Sequence, residues 1–321
     1  MVRVADPLVR MGATIVARSG WRLPLTIVGA TEPVPIAYRV PVPSAQVKSA
    51  ILLAALNAPG RTTVIEPAPT RDHSEIMLAH FGVEIEREDA EDGARRVTLV
   101  GQPEIFGRDV TVPGDLSSAA FPLVAALITP GSAVTLRGVG VNPMRTGLIE
   151  SLQAMGALIT VANRRLEGGE PVADLEVQAS ALTGVDVPAE RAPRMIDEYP
   201  VLATAAAYAR GRTRLRGLSE LRVKESDRLA AIAEGLARAE VRVALEGDDL
   251  VIEGAGGPPN GGALIATRLD HRIAMAFLVL GVAARQPMRI DQAAPISTSF
   301  PGFVEAMNGL GADIRPDGES G

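Results

Sequence analysis

The densest chemistry in this sequence is Arg222-Val223-Lys224-Glu225-Ser226-Asp227-Arg228, where three cations and two carboxylates crowd one helix entrance. Glu225 and Arg228 are i,i+3 neighbours there, which suits an ordinary surface ion pair. The same crowding suits proton transfer, because a carboxylic acid flanked by a lysine and two arginines beside a bound anion can be tuned to hold or release a proton. Asp197 opens the Asp197-Glu198-Tyr199-Pro200 segment and is either a helix N-cap or a base reaching a hydroxyl. Asp270-His271-Arg272 heads an apolar helix. Amide groups and the positive end of the dipole make an anion site of such a start if Arg272 joins them, and otherwise Arg272 lies over the surface. Pro43-Ser44-Ala45-Gln46 precedes another apolar helix, with Ser44 either capping it or serving a phosphate. Thr70-Arg71-Asp72-His73 opens an amphipathic helix on which Arg71 is a second anion contact or part of a solvated face. Lys48 reads as a residue flanking its helix.

Other chemistries are poorly served. The histidines are His73, His80 and His271 alone. His73 and His80 share a helical face without a third ligand at zinc spacing, so a solvated or capping role is expected of them. Asp270 and His271 are adjacent and cannot point at each other as triad members, and no nucleophile-elbow serine is present. No glycine-rich nucleotide loop of the Walker or dinucleotide type occurs. Zero cysteines exclude disulfides, thiolate nucleophiles and cysteine-ligated metals. A net charge of −6 with 3% aromatic residues offers neither a phosphate-neutralising surface nor a stacking platform, so no nucleic-acid partner is expected. An anionic ligand therefore needs cations gathered locally against the global field. The longest apolar runs, such as Ile273 to Ala284, fall short of the 18 or so residues that cross a bilayer, and the first residues lack a secretory signal. A cytoplasmic location without membrane association is expected.

The elements that position these residues repeat along the chain. Four segments share a polar start, a helix apolar all round, a turn and an alternating strand: Ser44 to Ile65, Asp115 to Leu136, Asp197 to Leu215 and Asp270 to Ile290. Their core residues Leu52, Leu123, Leu202 and Phe277 are spaced by 71, 79 and 75 positions. Helices with so little polar face must be surrounded by protein. A second, amphipathic helix follows in each unit and runs into a strand, over His73 to Ile85, Arg145 to Ile159, Ser226 to Val243 and Ser299 to Ile314. Gly82, Gly156 and Gly311 cap three of these, and Glu240 stands where the third copy should have glycine. A fifth copy of that second half, Ala5 to Ile15 with Gly12, has no apolar helix before it, so four whole units and one half are expected. This is an α/β pattern in which sheets enclose apolar helices. The Pro113-Gly114 turn divides the chain into lobes 1–113 and 114–321. The Gly-rich stretch Gly254 to Gly262 reads as a surface loop between strands.

Together these segments resemble the 5-enolpyruvylshikimate-3-phosphate synthase family, the enolpyruvyl transferases of aromatic amino-acid and chorismate biosynthesis. The resemblance spans the whole chain. It rests on Ser44-Ala45-Gln46, Thr70-Arg71-Asp72-His73, Gly114-Asp115-Leu116-Ser117-Ser118, Asp197, the run Leu221 to Arg228 and Asp270-His271-Arg272. Ser44-Ala45-Gln46 and Thr298-Ser299-Phe300-Pro301 are similar to the glyphosate-tolerant class, the other class having a ligand-binding lysine where Thr298 stands. The resemblance implies two lobes of three units each with a cleft where helix starts converge. Of the six units this chain supplies four and a half, the first lobe being incomplete and one family lysine having no counterpart. It also implies substrates, shikimate 3-phosphate and phosphoenolpyruvate, with no metal or organic cofactor and a monomer when complete. By resemblance Asp197 takes the proton of the attacking hydroxyl, Glu225 protonates C3, and Lys224 joins them in catalysis. Ser44, Ala45, Gln46, Arg71, Asp197 and Lys224 hold shikimate 3-phosphate, and Gln46, Arg228 and Arg272 hold phosphoenolpyruvate. The first lobe is then the shikimate 3-phosphate side, and the second carries the Asp/Glu pair and the arginines.

Two other readings stand beside this one. The chain is a catalytically silent remnant, or one part of a split enzyme, if the units it lacks are indispensable. The UDP-N-acetylglucosamine enolpyruvyl transferase of cell-wall synthesis shares the repeat, but that family generally uses a cysteine acid, and the run from Arg222 to Arg228 argues against it.

Overall fold

Serine or aspartate at the head of an apolar stretch satisfies amide groups that a buried helix start cannot leave to water. The computed structural model, which describes residues 1–316, places such caps ahead of three of the four apolar helices expected. The chain forms two units, Met1–Val112 with Leu166–Glu170, and Pro113–Arg165 with the residues from Pro171 onward.

In the first unit, α1 (Val2–Arg10) leads into an antiparallel hairpin of β1 (Thr14–Arg18) and β2 (Arg22–Val28). There follow β3 (Ala37–Arg39), α2 (Ala45–Ala55), β4 (Arg61–Glu66), α3 (His73–His80), β5 (Ile85–Asp89) and β6 (Arg95–Val100). The sheet order is β3-β4-β6-β5, with β3 parallel to β4 and the other pairs antiparallel. Alternation along β4 turns Thr62, Val64 and Glu66 inward, and Val64 joins Ile51 and Leu52 of α2 with Val97 and Leu99 of β6 in the core.

The second unit runs through α4 (Leu116–Ile128), β7 (Ala133–Gly140), α5 (Gly147–Ala154), β8 (Leu158–Glu167) and β9 (Glu170–Gln178), apart from the strand ends within Leu166–Glu170, with sheet order β7-β9-β8. Next come β10 (Asp186–Val187), α6 (Tyr199–Tyr208), β11 (Arg210–Leu215), α7 (Arg228–Arg238), β12 (Arg242–Glu246) and β13 (Asp249–Ala255). Their sheet, β10-β11-β13-β12, repeats the first unit's sheet strand for strand, parallel pair included. The unit ends with β14 (Leu264–Ile265), α8 (His271–Val282), the parallel β15 (Arg289–Ile290), α9 (Ile296–Ser299) and α10 (Phe303–Gly309). The apolar helices α4, α6 and α8 pack on one another, as helices without a polar face must. Their few polar groups are absorbed internally: Thr204 Oγ1 donates to Ala276 O at 3.0 Å and Tyr208 Oη to Leu280 O at 2.6 Å.

Helices α1, α3, α5, α7 and α10 close with the same two hydrogen bonds. In α3, Gly82 N donates to Ala79 O and Val83 N to Leu78 O, and the others match it bond for bond. This Schellman closure needs a left-handed residue, supplied by Gly12, Gly82, Gly156 and Gly311 and, in α7, by Glu240 at φ 60°. The sequence irregularity at Glu240 is thus a substitution within an unchanged turn.

Two expectations are corrected. No strand follows α10 among the described residues, because Asn308 occupies both backbone groups of Ile314, accepting from its N–H and donating to its carbonyl at 2.8 Å each. Leu166–Glu170, expected in the second lobe, belongs with the first unit. Gly169 at φ 84° lies against Ile76, where a Cβ would come within 3.0 Å of that side chain, and Glu170 meets His73. No described helix is long and apolar enough to cross a membrane.

The left-handed cost at Glu240 is recoverable. Glu240→Gly is expected to stabilise the protein by ~1 kcal/mol and Gly156→Ala to destabilise it by a similar amount, read as opposite shifts of the urea midpoint. An unchanged midpoint for Glu240→Gly contradicts the shared closure.

Candidate active site

Two clusters of charge are built at helix starts, one in each unit. In the second unit, Asp227 Oδ1 accepts from Ala230 N at 2.9 Å and so begins α7 at Arg228, whose side chain is nevertheless buried. Its guanidinium is shared by three carboxylates from separate segments. Nε donates to Asp270 Oδ2 at 2.8 Å, Nη1 to Asp197 Oδ1 at 3.2 Å and Nη2 to Glu225 Oε2 at 2.5 Å. Asp270 is the N-cap of α8, with its other oxygen accepting from Arg272 N at 2.9 Å, and Ser226 Oγ donates to Oδ2 at 3.0 Å. Burial alone would push the Asp270 carboxyl up. The Arg228 hydrogen bond and charge, the Arg272 amide and Ser226 outweigh it and hold this carboxyl below the usual range.

Asp197 does not cap α6, since the N-cap position is Glu198, and it is free of that duty to face Arg228. The turn before it, Ala189–Arg194, is pinned by Arg194, which donates through Nε to Pro143 O at 2.7 Å and pairs with Glu150. Arg272 is no loose surface residue: its Nη1 donates to Asp197 O at 3.2 Å. His271 beside it has an imidazole pushed down in pKa by burial and by Arg272, and its Nε2 is buried without a partner. Lys224 is not drawn into this group and pairs with Glu220 at 2.6 Å. Arg222 is structural, tying its turn to Asp248 at 2.9 Å and Gly247 O at 2.8 Å. Thr298 closes on Pro295 O within α9 at 2.7 Å.

Next to Asp197 lies a group that the sequence did not single out. Glu198 is buried, with Oε1 accepting from Ser117 Oγ and Oε2 lacking a partner. Arg145 Nη2 donates to the same Ser117 Oγ at 2.6 Å. Ser117 lies in the first turn of α4, where Asp115 caps the amides of Ser117 and Ser118. The available signal was an acid directly before a helix that is apolar all round.

In the first unit, Ser44 Oγ accepts from Val47 N at 3.4 Å, so Ser44 caps α2, with Gln46 exposed in the first turn. Arg71 is half-buried in the loop between β4 and α3. Lys48 overturns its expected flanking role. It is fully buried, 2.9 Å from Glu66 Oε2 and 2.7 Å from Glu75 Oε1, both carboxylates being buried as well. It faces inward because it follows Val47 on the side of α2 that carries Ile51 and Leu52. Glu66 could have been found as the inward member of the Thr62, Val64, Glu66 alternation. His73 Nδ1 is 2.5 Å from Glu170 Oε1, and His80 Nε2 is 3.2 Å from Asp109 O.

Chemically, the second cluster holds three carboxylates against one guanidinium. Asp270 is fixed by capping, whereas the Glu225 side chain is 54% exposed and is the one carboxylate able to leave Arg228 for an incoming anion.

Comparison with known proteins gives a consistent picture. Residues 1–307 match the family model described as EPSP synthase (3-phosphoshikimate 1-carboxyvinyltransferase). The chain is 61% identical over 314 residues to the 3-phosphoshikimate 1-carboxyvinyltransferase of Rhodospirillum rubrum, covering 98% of this chain and 70% of that protein. It is 60% identical over 315 residues to that of Granulibacter bethesdensis, covering 98% and 69%. An EPSP synthase structure from Acinetobacter baumannii superposes with a TM-score of 0.90 at 44% identity, covering 98% of this chain and 71% of that one. The enolpyruvyl transferase NikO from Streptomyces tendae shares the fold, with a TM-score of 0.76 at 21% identity over 98% and 72% of the two chains.

Burial raises the pKa of the Glu198 carboxyl, against the pull of Arg145 and Ser117. Below the unfolded-state value both states hold the proton; above it the unfolded chain releases a proton that the folded chain keeps, so stability is lost as pH rises toward the folded value. Glu198→Gln removes that loss. Its melting temperature is expected to exceed the parent's near neutral pH, with the gap closing below about pH 4.5. A gap independent of pH contradicts this assignment.

Proposed function

From the premise that the chain belongs to the EPSP synthase family, we propose residue roles for the family's reaction. The activity is 3-phosphoshikimate 1-carboxyvinyl transfer in the shikimate pathway. The enolpyruvyl group of phosphoenolpyruvate passes to the 5-hydroxyl of shikimate 3-phosphate, and phosphate is released.

In the proposed mechanism Asp197 accepts the proton of the 5-hydroxyl as its oxygen bonds to C2 of phosphoenolpyruvate. Glu225 delivers a proton to C3, giving a tetrahedral intermediate. Elimination reverses the C3 protonation, breaks the bond from C2 to the phosphate oxygen and returns the double bond. Both substrates are polyanions, and the local arrangement must compensate them. Arg228 and Arg272 balance phosphoenolpyruvate, and preorganised cations of this kind act without reorganising during reaction. An anion arriving at Arg228 displaces the Glu225 carboxylate, which then takes up a proton from solvent and serves as the acid. Lys224 leaves Glu220 and turns to the substrates. Ser44, Ala45, Gln46 and Arg71 hold shikimate 3-phosphate, with Gln46 also serving phosphoenolpyruvate.

One observation carries this reading: the Arg228 guanidinium gathers the proposed base, Asp197, and the proposed acid, Glu225, around one planar group, with Asp270 holding its third side. A surface ion pair would not need a buried guanidinium or a second and third acid. The proposal also places the protein in the cytoplasm without a nucleic-acid partner, supported by its cysteine-free, acidic composition, and as a monomer when complete.

Phosphate release from the two substrates tests the assignment. Glu225→Gln is expected to lower turnover by roughly 10²–10⁴-fold while shikimate 3-phosphate still binds; Asp197→Asn is expected to lower turnover comparably and, since Asp197 also holds shikimate 3-phosphate, to weaken its binding. Turnover within threefold of the parent for either variant removes that residue from its role.

A further inference from the structure

We propose that Lys48 is a positioning residue for the shikimate 3-phosphate side, its buried ammonium holding the loop that carries Arg71 against the first turns of α2. The inference rests on the proposed role of Arg71 and adds a residue that touches no substrate. An ammonium has three donors and no acceptor. Lys48 directs its ammonium at three segments other than its own: it donates to Glu66 Oε2 at 2.9 Å at the end of β4 and to Thr70 O at 3.5 Å in the following loop, and it forms an ion pair with Glu75 Oε1 at 2.7 Å in α3. Thr70 is doubly held, because its Oγ1 donates to the same Glu66. Arg71 is the next residue. The loop therefore has its anchor one position before the guanidinium proposed to grip substrate.

A second tie runs parallel to the first. Ser49 Oγ donates to Ala45 O at 2.8 Å and lies 2.6 Å from Ser74 Oγ, joining the first turn of α2 to the first turn of α3. Both ties connect the two segments proposed to bind one ligand.

Energetics argue for geometry over stability. Two carboxylates and one ammonium are all fully buried, and apolar residues of similar volume commonly serve stability as well or better than such a group. Removing the cation alone leaves two buried acids facing each other. A tripod with fixed directions gives something that apolar packing does not, namely a defined distance between Arg71 and the Ser44-Ala45-Gln46 start.

The test compares three variants of the full chain by direct titration of shikimate 3-phosphate and by steady-state kinetics. Lys48→Met tests the cation, Lys48→Met/Glu66→Gln/Glu75→Gln keeps the volumes without buried charge, and Arg71→Ala tests the premise. The uncharged triple variant is expected to melt near the parent temperature yet bind shikimate 3-phosphate ~10–100-fold more weakly, with KM for that substrate raised and kcat nearly unchanged. Arg71→Ala added to it is expected to cost much less than in the parent, since both act through one guanidinium. A triple variant that is folded and binds like the parent, while Arg71→Ala weakens binding, overturns the role of Lys48. Parental binding by Arg71→Ala instead overturns the premise about Arg71. If Lys48→Met alone does not fold, the triple variant decides.

Discussion

A guanidinium is flat, carries five donors in fixed directions and stays charged in any protein interior. Burying one is costly unless its whole edge is met by acceptors. Arg228 is buried, and its three nitrogens are met by Asp270, Asp197 and Glu225. This constraint reaches well beyond the side chain. Asp270 can face Arg228 only because it also caps α8, and Asp197 can do so only because Glu198 and Pro200 begin α6 without it. The starts of three helices are thereby held in one place by a residue that begins one of them. Three acids around one cation are over-supplied with negative charge, and Glu225 is the exposed member, the one proposed to give way to an anionic substrate.

The first unit solves a similar problem with different chemistry. There the buried cation is an ammonium, a compact point charge with donors spread in three dimensions, and it gathers a strand end, a loop and a helix. In the second unit the planar fork of arginine lines up three carboxylates. Each cation suits its proposed role, since a tripod fixes a loop, whereas a flat edge can exchange one carboxylate for another anion without losing the remaining two. The repeated sheet order in the two units shows that the same α/β scaffold accommodates both.

Much of the scaffold could be read from the letters alone, because apolar helices and their closing glycines announce themselves by period and by residue type. Ser44, Gly82 and Gly156 stand where the structure places caps, and even Glu240 marks a real turn. The strand expected at Ile314 failed because alternation carries no information about Asn308, which captures the backbone groups that a ladder would need. Among site residues, the proximity of Glu225 to Arg228 follows from helical spacing, but the arrival of Asp197 and Asp270 at the same guanidinium is a tertiary fact. Lys48 departs from its expected flanking role for a related reason. A lone lysine on an apolar helix reads as an edge residue until Glu66 and Glu75, distant in sequence, are seen to meet it. Glu198 shows the same limit, since its partners Ser117 and Arg145 come from other elements.

The central claim is that the directional donors of Arg228, beyond its charge, organise the proposed acid, Glu225, and the proposed base, Asp197. Arg228→Lys keeps the charge and removes the fork. Measured as turnover of phosphoenolpyruvate and shikimate 3-phosphate in a variant shown to be folded, it is expected to lose ~100-fold or more, because one ammonium cannot line up three carboxylates in a plane. Turnover within threefold of the parent would mean that charge alone suffices, and the account would be wrong.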